Sequence, residues 1–224
     1  METLEIKKKQ NHLFTNKALV ALLVPLVLES ALNMLIGMCD TIMVSRCGEA
    51  AVSGVSLVDS ISNLFLNLFG AAATGGAVVC SQYLGHKDKK NAQDTAKNLV
   101  FISTIAGVFV AVVLLPFRMQ VVDFCFGKIA NDVRIYAGEY FFYVAISYPF
   151  LALYQAFAAL CRSEAKTKRT FYVAVVMNAI NIGGNAIFIF ALNLGPKGAS
   201  IATLISRIVG ALALYIMLRR KDED

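Results

Sequence analysis

Long apolar stretches alternate with short polar gaps along this chain. Each stretch is close to or above the ~20 residues that an α-helix needs to cross the hydrocarbon core of a bilayer. Stretches this long and continuously apolar are typical of helices, whereas strands of membrane barrels are shorter and alternate in polarity. We therefore predict an all-α, polytopic membrane protein with six transmembrane helices. The stretches cover residues 18–44, 51–84, 98–116, 136–160, 171–192 and 199–218.

Basic residues lie mostly in every second gap between these stretches. Because positively charged loops tend to stay in the cytoplasm, this pattern predicts a multi-pass protein of the cell (plasma or inner) membrane with both termini cytoplasmic. We predict a cytoplasmic segment over residues 1–17, one six-helix bundle over 18–218 and a cytoplasmic tail over 219–224. Fifteen of the 21 Lys and Arg residues follow the pattern, namely Lys7, Lys8, Lys9, Lys17, Lys87, Lys89, Lys90, Lys97, Arg162, Lys166, Lys168, Arg169, Arg219, Arg220 and Lys221.

Composition agrees with a membrane protein and argues against other classes. Hydrophobic residues make up 58% and charged residues 16%, compared with roughly 45–50% and 25% in soluble domains. The net charge of +6 lies mainly in the loops, where topology and anionic lipid headgroups account for it. We therefore expect lipid, and no nucleic acid, as a partner. Neither a C-x-x-C pair nor a catalytic motif is present, so we expect no enzyme activity and no cofactor.

Two acidic residues in the first predicted helix make the strongest functional signal. Glu29 and Asp40 are 11 residues apart, so both lie on one helix face, with Asn33 between them. An Asp at the centre of a membrane helix costs ~2.5–3.5 kcal/mol on insertion scales and needs a partner, water or a proton. The alternatives are a structural hydrogen bond for Glu29 and a helix-end position for Asp40.

Helices 2, 4 and 5 carry further polar side chains. Arg207 lies midway along helix 6, where a charged side chain needs a partner, and we expect that partner to be an acid. Polar stripes on helices 1, 2 and 5 favour one shared hydrated cavity, although interhelical hydrogen bonds between amide side chains are the alternative. Tyrosines on helix 4 suit an aromatic cation as well as ordinary packing. The residues expected to line the cavity are Glu29, Asn33, Asp59, Asn63, Asn67, Tyr148, Gln155 and Asn178.

Five segments, in order along nearly the whole chain, resemble the multidrug and toxic-compound extrusion (MATE) family of transporters. The first is DTIMVSRCG from Asp40, and the second is ATGGAVVCSQYLGHKDKKNAQ from Ala73. The others are YPFLALYQAFAALCRSEAKTK from Tyr148, NAINIGGNAIFIF from Asn178 and GPKGASIATLIS from Gly195. Flippases for lipid-linked precursors share the same superfold and are the nearest alternative.

The resemblance implies a secondary antiporter that expels cationic, amphipathic compounds by alternating access, driven by protons or sodium. It implies that Asp40 binds the coupling cation, with a sodium ion there as the one metal expected. The amide pair of helix 5 maps to Asn181 and Asn185. Part of the family has Asp at the second of these positions, whereas the Asn here cannot titrate.

The family is implied to have twelve helices in two halves, and this chain matches the N-terminal six. We therefore expect it to form one lobe of a MATE-like bundle that needs a second six-helix half or pairs with itself. An inactive truncated half and a structural partner subunit are the alternatives from another functional class.

Overall fold

Long α-helices joined by short connections make up the structure. This computed structural model describes residues 16–219, without the side chains of residues 16–19, 21, 22 and 33. The predicted N-terminal segment up to residue 15 and the tail from residue 220 lie outside the described residues. The helices are α1 (Asn16–Val44), α2 (Glu49–Gly85), α3 (Lys89–Phe126), α4 (Asn131–Ser163), α5 (Thr167–Asn185) and α6 (Gly195–Arg219).

Two shorter elements lie at the ends of these helices. A 3₁₀ turn, Ser45–Cys47, joins α1 to α2, and a π-helical segment, Ala186–Ala191, extends α5. Within residues 16–219 there is no strand, and six helical spans are long and apolar enough to cross a membrane. The prediction of an all-α protein with six transmembrane helices is therefore confirmed.

Helix α3 is longer than its apolar stretch at both ends. It begins at Lys89, where the Asp88 side chain accepts a hydrogen bond from the Asn91 backbone N–H at 3.1 Å and caps the helix. It continues past Pro116 to Phe126, so most of the gap between the third and fourth apolar stretches is helical. Polar residues at a membrane boundary do not stop a helix, because the backbone hydrogen bonds continue to be satisfied there.

Consecutive helices run in opposite directions, which gives the bundle two ends. Gly54 of α2 approaches Ala137 of α4 near the start of both helices, whereas Gly107 of α3 approaches Pro149 of α4. We call the end containing connections 45–48, 127–130 and 192–194 the distal end, and the end containing 86–88 and 164–166 the proximal end. Residues late in α1 and α5 therefore lie near residues early in α2, α4 and α6.

Helix α4 forms the centre of the bundle. It packs against α2, α3 and α6, and 72% of its most apolar span is buried, compared with 12% for α1. Its largest fully buried side chains include Tyr140, Phe141 and Tyr148. Helix α1 packs mainly against α5 and has few contacts with α2. The lobe is thus a well-packed core with α1 attached along one side.

Candidate functional site

A chain of hydrogen bonds joins α1, α5 and α6 near the distal end. Asn185 Nδ2 donates to Asp40 Oδ1 and lies 3.4 Å from Asn181 Oδ1. Asn181 Nδ2 donates in turn to Thr203 Oγ1 at 3.2 Å. Asp40 is 5% exposed, and Asn181 and Asn185 are 1% and 0% exposed. We call these four residues the Asp40 cluster.

The helices position the cluster by simple periodicity. Asn181 and Asn185 are four residues apart on α5, so both side chains lie on the face that packs against α1 and α6. Asp40 lies one turn before the end of α1. The π-helical segment begins directly after Asn185, and π turns in helices occur frequently at functional sites.

The acceptors of the Asp40 cluster are all oxygen atoms. Asn185 Oδ1 is buried and has no hydrogen-bond partner within the described part of the chain. The Asp40 carboxylate and the side-chain oxygens of Asn181, Asn185 and Thr203 are of the type that hard cations prefer as ligands. The Asp40 carboxylate is also able to bind a proton. Residues 16–219 contain no group of three or more His, Cys, Asp or Glu side chains that could hold a metal ion.

A second polar group lies beside this cluster and involves α4. Asp59 of α2 accepts a hydrogen bond from the Tyr140 hydroxyl at 3.0 Å. Arg207 of α6 donates to Ser147 Oγ at 2.6 Å, so its hydrogen-bond partner is a hydroxyl and not the acid we expected. Asp40 and Asp59 both lie in the distal half of the lobe, and Arg207 lies near the middle of α6.

Glu29 lies apart from these groups, toward the proximal end. It is 7% exposed, and its Oε1 lies 3.5 Å from the Tyr154 hydroxyl of α4. Its Oε2 is buried without a hydrogen-bond partner among the described residues. Eleven residues of helix place Glu29 about 16 Å from Asp40 along α1. The two acids share one face, as predicted, but they contact different helices.

The other predicted cavity residues occupy three kinds of environment. Asn63 and Asn67 are exposed on α2. Asn178 is buried and donates to the Ala174 carbonyl of its own helix at 2.8 Å. The half-buried Gln155 faces Gly70 of α2.

Tyr148 lies in the core. It is fully buried, its hydroxyl lies 3.2 Å from Ser62 Oγ, and its ring packs against Phe65 and Phe69. The side chain of Asn33 lies outside the described residues.

Three contributors to the site were missed from sequence: Thr203, Tyr140 and Ser147. Thr203 and Arg207 are four residues apart in α6, a spacing that could have marked a polar face on this helix. Tyr140 and Ser147 give no such signal, because isolated hydroxyl side chains are common in membrane helices.

Comparison with known proteins places this architecture among membrane transporters. The MatE family model matches residues 25–187. An uncharacterised transporter of Bacillus subtilis, YisQ, is 31% identical over 96% of this chain and 47% of its own length. A probable multidrug resistance protein of Thermotoga maritima, NorM, is 27% identical over 92% of this chain and 45% of its own. A crystal structure of a MATE transporter in a bent conformation superposes with a TM-score of 0.85 at 25% identity, covering 93% of this chain and 46% of the other.

These matches define a lobe of a polytopic membrane transporter. The chain belongs to the MatE family, whose members include multidrug efflux transporters. The resemblance noted from sequence motifs is therefore confirmed. The chain spans about half the length of the curated relatives it matches.

Proposed function

We propose that this chain is one lobe of a cation-coupled multidrug antiporter and that Asp40 binds the coupling cation, a proton or sodium. The observation that carries the proposal is the Asp40 cluster, in which a nearly inaccessible carboxylate accepts a hydrogen bond from the buried amide of Asn185, which in turn contacts the buried amide of Asn181. A buried carboxylate is stabilised when a cation neutralises its charge. Binding and release of a cation at Asp40 would therefore change the balance of interactions between α1 and α5.

The loose packing of α1 supports coupling through this helix. Its apolar span is the least buried of the six, and its contacts are mainly with α5. A change of charge at Asp40 acts on the distal end of this helix, where Asn185 holds it. A small shift of α1 at this contact would link ion binding to the substrate cavity.

We propose that the substrates are cationic, amphipathic compounds. Relatives of this chain are named multidrug export proteins, and the exposed amides of Asn63 and Asn67 give α2 a polar face outside the core of the lobe. The acid Glu29 adds negative charge between α1 and α4. A site built from acids, amides and aromatic rings suits large cations.

A second six-helix unit is part of this proposal. Because the chain spans about half of its relatives, we propose that a matching half, or a second copy of this chain, covers the polar face of α2. Rocking of two halves about a central site is the common mechanism of secondary transporters. We further propose that both termini are cytoplasmic, which would place the distal end and the Asp40 cluster in the outer half of the membrane.

Replacement of Asp40 by Asn tests the proposal. In proteoliposomes containing this lobe and its second half, we expect Asp40→Asn to abolish gradient-driven ethidium export and to leave ethidium binding largely intact. Running the assay with a pH gradient alone and a sodium gradient alone distinguishes the two ions. Asp132→Asn, at an exposed position at the start of α4, is the matched control. Export by Asp40→Asn at the rate of this control would overturn the assignment.

A further inference from the structure

A cavity of about 320 Å³ opens near the distal end on the side of the lobe formed by α3, α4 and α6. Its lining includes two basic side chains, Arg118 of α3 and Lys197 of α6, and one acid, Glu139 of α4. None of these residues belongs to the Asp40 cluster or to the polar group beside it. The cavity is therefore separate from the proposed transport site.

Both basic side chains are held over aromatic rings that line the same cavity. The Arg118 guanidinium carbon lies 5.5 Å from the centre of the Phe142 ring, and Lys197 Nζ lies 5.8 Å from the centre of the Tyr143 ring. Cation–π contacts of this kind fix the direction of a charged group without using its hydrogen-bond donors. The positively charged groups of Arg118 and Lys197 are thus both held in place at the lining of the same cavity.

Donors of Arg118 remain available at this site. Its Nη1 donates to the Leu115 carbonyl at 3.0 Å, while its Nε is buried with no hydrogen-bond partner in the described structure. Within residues 16–219, neither Arg118 nor Lys197 forms a salt bridge. Nε itself is inaccessible to a ligand, but Nη2 takes part in no hydrogen bond within the described residues. An anion in the cavity would accept from Nη2 and offset the positive charge of the guanidinium.

The position of the cavity along the helices is that of a membrane–water boundary. Arg118 follows the end of the third apolar stretch at residue 116, and Lys197 is the third residue of α6. Tyr143 is of the amphipathic aromatic type that is enriched at headgroup level in membrane proteins. The anion present at this level in every bilayer is the phosphate of the phospholipids, and Arg with Lys is a common phosphate-binding combination.

We propose that this cavity binds the phosphate group of a phospholipid in the leaflet at the distal end. Arg118 and Lys197 contact the phosphate, and Glu139 accepts a hydrogen bond from a hydroxyl or ammonium group of the same headgroup. The net charge of +1 from these three side chains complements one phosphodiester. This binding does not depend on which ion or substrate the transporter uses.

Lipid retention by the purified 224-residue chain tests the proposal. Native mass spectrometry after exchange into detergent with phosphatidylglycerol, phosphatidylethanolamine or diacylglycerol counts the retained lipids. We expect retention of phospholipid and none of diacylglycerol. The double variant Arg118→Gln/Lys197→Gln should lose about 25-fold in affinity, since each basic side chain near a headgroup contributes about fivefold. The control Arg46→Gln/Lys128→Gln, with two exposed distal-end cations outside the cavity, should retain lipid normally.

A gain of binding separates this proposal from a simple folding defect. Glu139→Gln removes the one negative charge of the lining, while the Gln amide oxygen still accepts a hydrogen bond from the headgroup hydroxyl of phosphatidylglycerol. It should therefore raise affinity for this lipid about fivefold, an effect that misfolding cannot produce. Equal lipid retention by the Arg118/Lys197 and Arg46/Lys128 double variants would overturn the proposal. Displacement of the lipid by millimolar inorganic phosphate would overturn the lipid assignment and make free phosphate the ligand.

Discussion

At the scale of single residues, small side chains decide how closely the helices approach. Gly107 of α3 faces the backbone of α4, and a β-carbon there would lie 2.7 Å from the Pro149 α-carbon and 3.0 Å from the Tyr148 carbonyl oxygen. Backbone atoms cannot move aside as a flexible side-chain end can. The contact between α3 and the central helix therefore requires glycine at this position.

We expect Gly107→Ala to destabilise the lobe by about 1–3 kcal/mol, because it forces α3 away from α4. Gly75→Ala is the matched control, since nothing lies within 4 Å of a β-carbon at that position, and alanine favours a helix over glycine by up to about 1 kcal/mol. The fraction of protein that remains monodisperse in detergent after heating measures both effects. A Gly107→Ala protein as heat-stable as the Gly75→Ala protein would contradict the close approach.

At the scale of helices, packing holds most of the bundle together, and a few hydrogen bonds between polar side chains add further links. The Arg207–Ser147 hydrogen bond links the middle of α6 to the middle of α4, and Asp59–Tyr140 links α2 to α4 in the distal half. Helix α1 lacks the extensive packing of α4, and its polar links to Asn185 and Tyr154 are spaced along one face. Interhelical hydrogen bonds in membranes contribute modestly, averaging about 0.6 kcal/mol with a maximum near 1.7.

A double-mutant cycle measures the link between α4 and α6. Ser147→Ala and Arg207→Gln each remove one partner, and the double variant removes both. We expect a coupling free energy of about 1–1.7 kcal/mol, toward the upper end of the membrane range because the donor is charged. Unfolding by titrating SDS into mixed micelles provides the free energies. Strictly additive single effects would show that the two side chains act independently.

The orientation of the helices can be tested with cysteines whose exposure differs. Cys125 is exposed at the distal end, whereas Cys80 and Cys161 are buried. We expect an impermeant maleimide to label Cys125 in intact cells, because the proposed topology places that end outside. Glu164→Cys, at an exposed position of the proximal connection, should be labelled only after permeabilisation when Cys39, Cys47 and Cys125 are replaced by Ser. The reverse labelling pattern would invert the proposed topology.

At the scale of the whole molecule, the polar face of α2 has no cover within the described residues. Asn63 and Asn67 are exposed there, and neither amide forms a hydrogen bond within the described residues. The exposed hydroxyls of Ser60 and Thr74 donate to carbonyls of their own helix and are therefore satisfied. In a bilayer, unpaired polar groups that face lipid cost several kcal/mol. We therefore expect the lobe to associate with a second half or with another copy in lipid.

We expect cells that express this chain alone to export no ethidium, because alternating access needs two bodies that move relative to each other. Co-expression with a matching six-helix half should restore export, and the Asp40→Asn form of this chain is the control that keeps assembly but removes coupling. Export by the chain alone as a purified monomer would refute the need for a partner. Export by a homodimer would show that self-pairing replaces the second half, and absence of export in every combination would favour a structural or lipid-flipping role.

The sequence by itself determined those features that depend on local periodicity and composition. Six apolar stretches predicted six membrane helices, because a helix is the only structure other than a closed barrel that satisfies its backbone N–H and C=O groups in lipid. Spacings of 11 residues on α1 and of four on α5 placed Glu29 with Asp40, and Asn181 with Asn185, on common faces. Five motifs, taken together and in order along the chain, indicated the family.

Only the tertiary structure decided which faces meet. Periodicity assigns a residue to a face of its own helix, but not to the neighbour across from it, and that neighbour is set by packing over the whole bundle. Asp40 thus contacts Asn185 whereas Glu29, on the same face, contacts Tyr154. Asn178 bonds to its own backbone and Tyr148 lies in the core, although both carry the polar groups that sequence reasoning assigned to a cavity. The contacts of each polar side chain depend on long-range packing, which no local pattern contains.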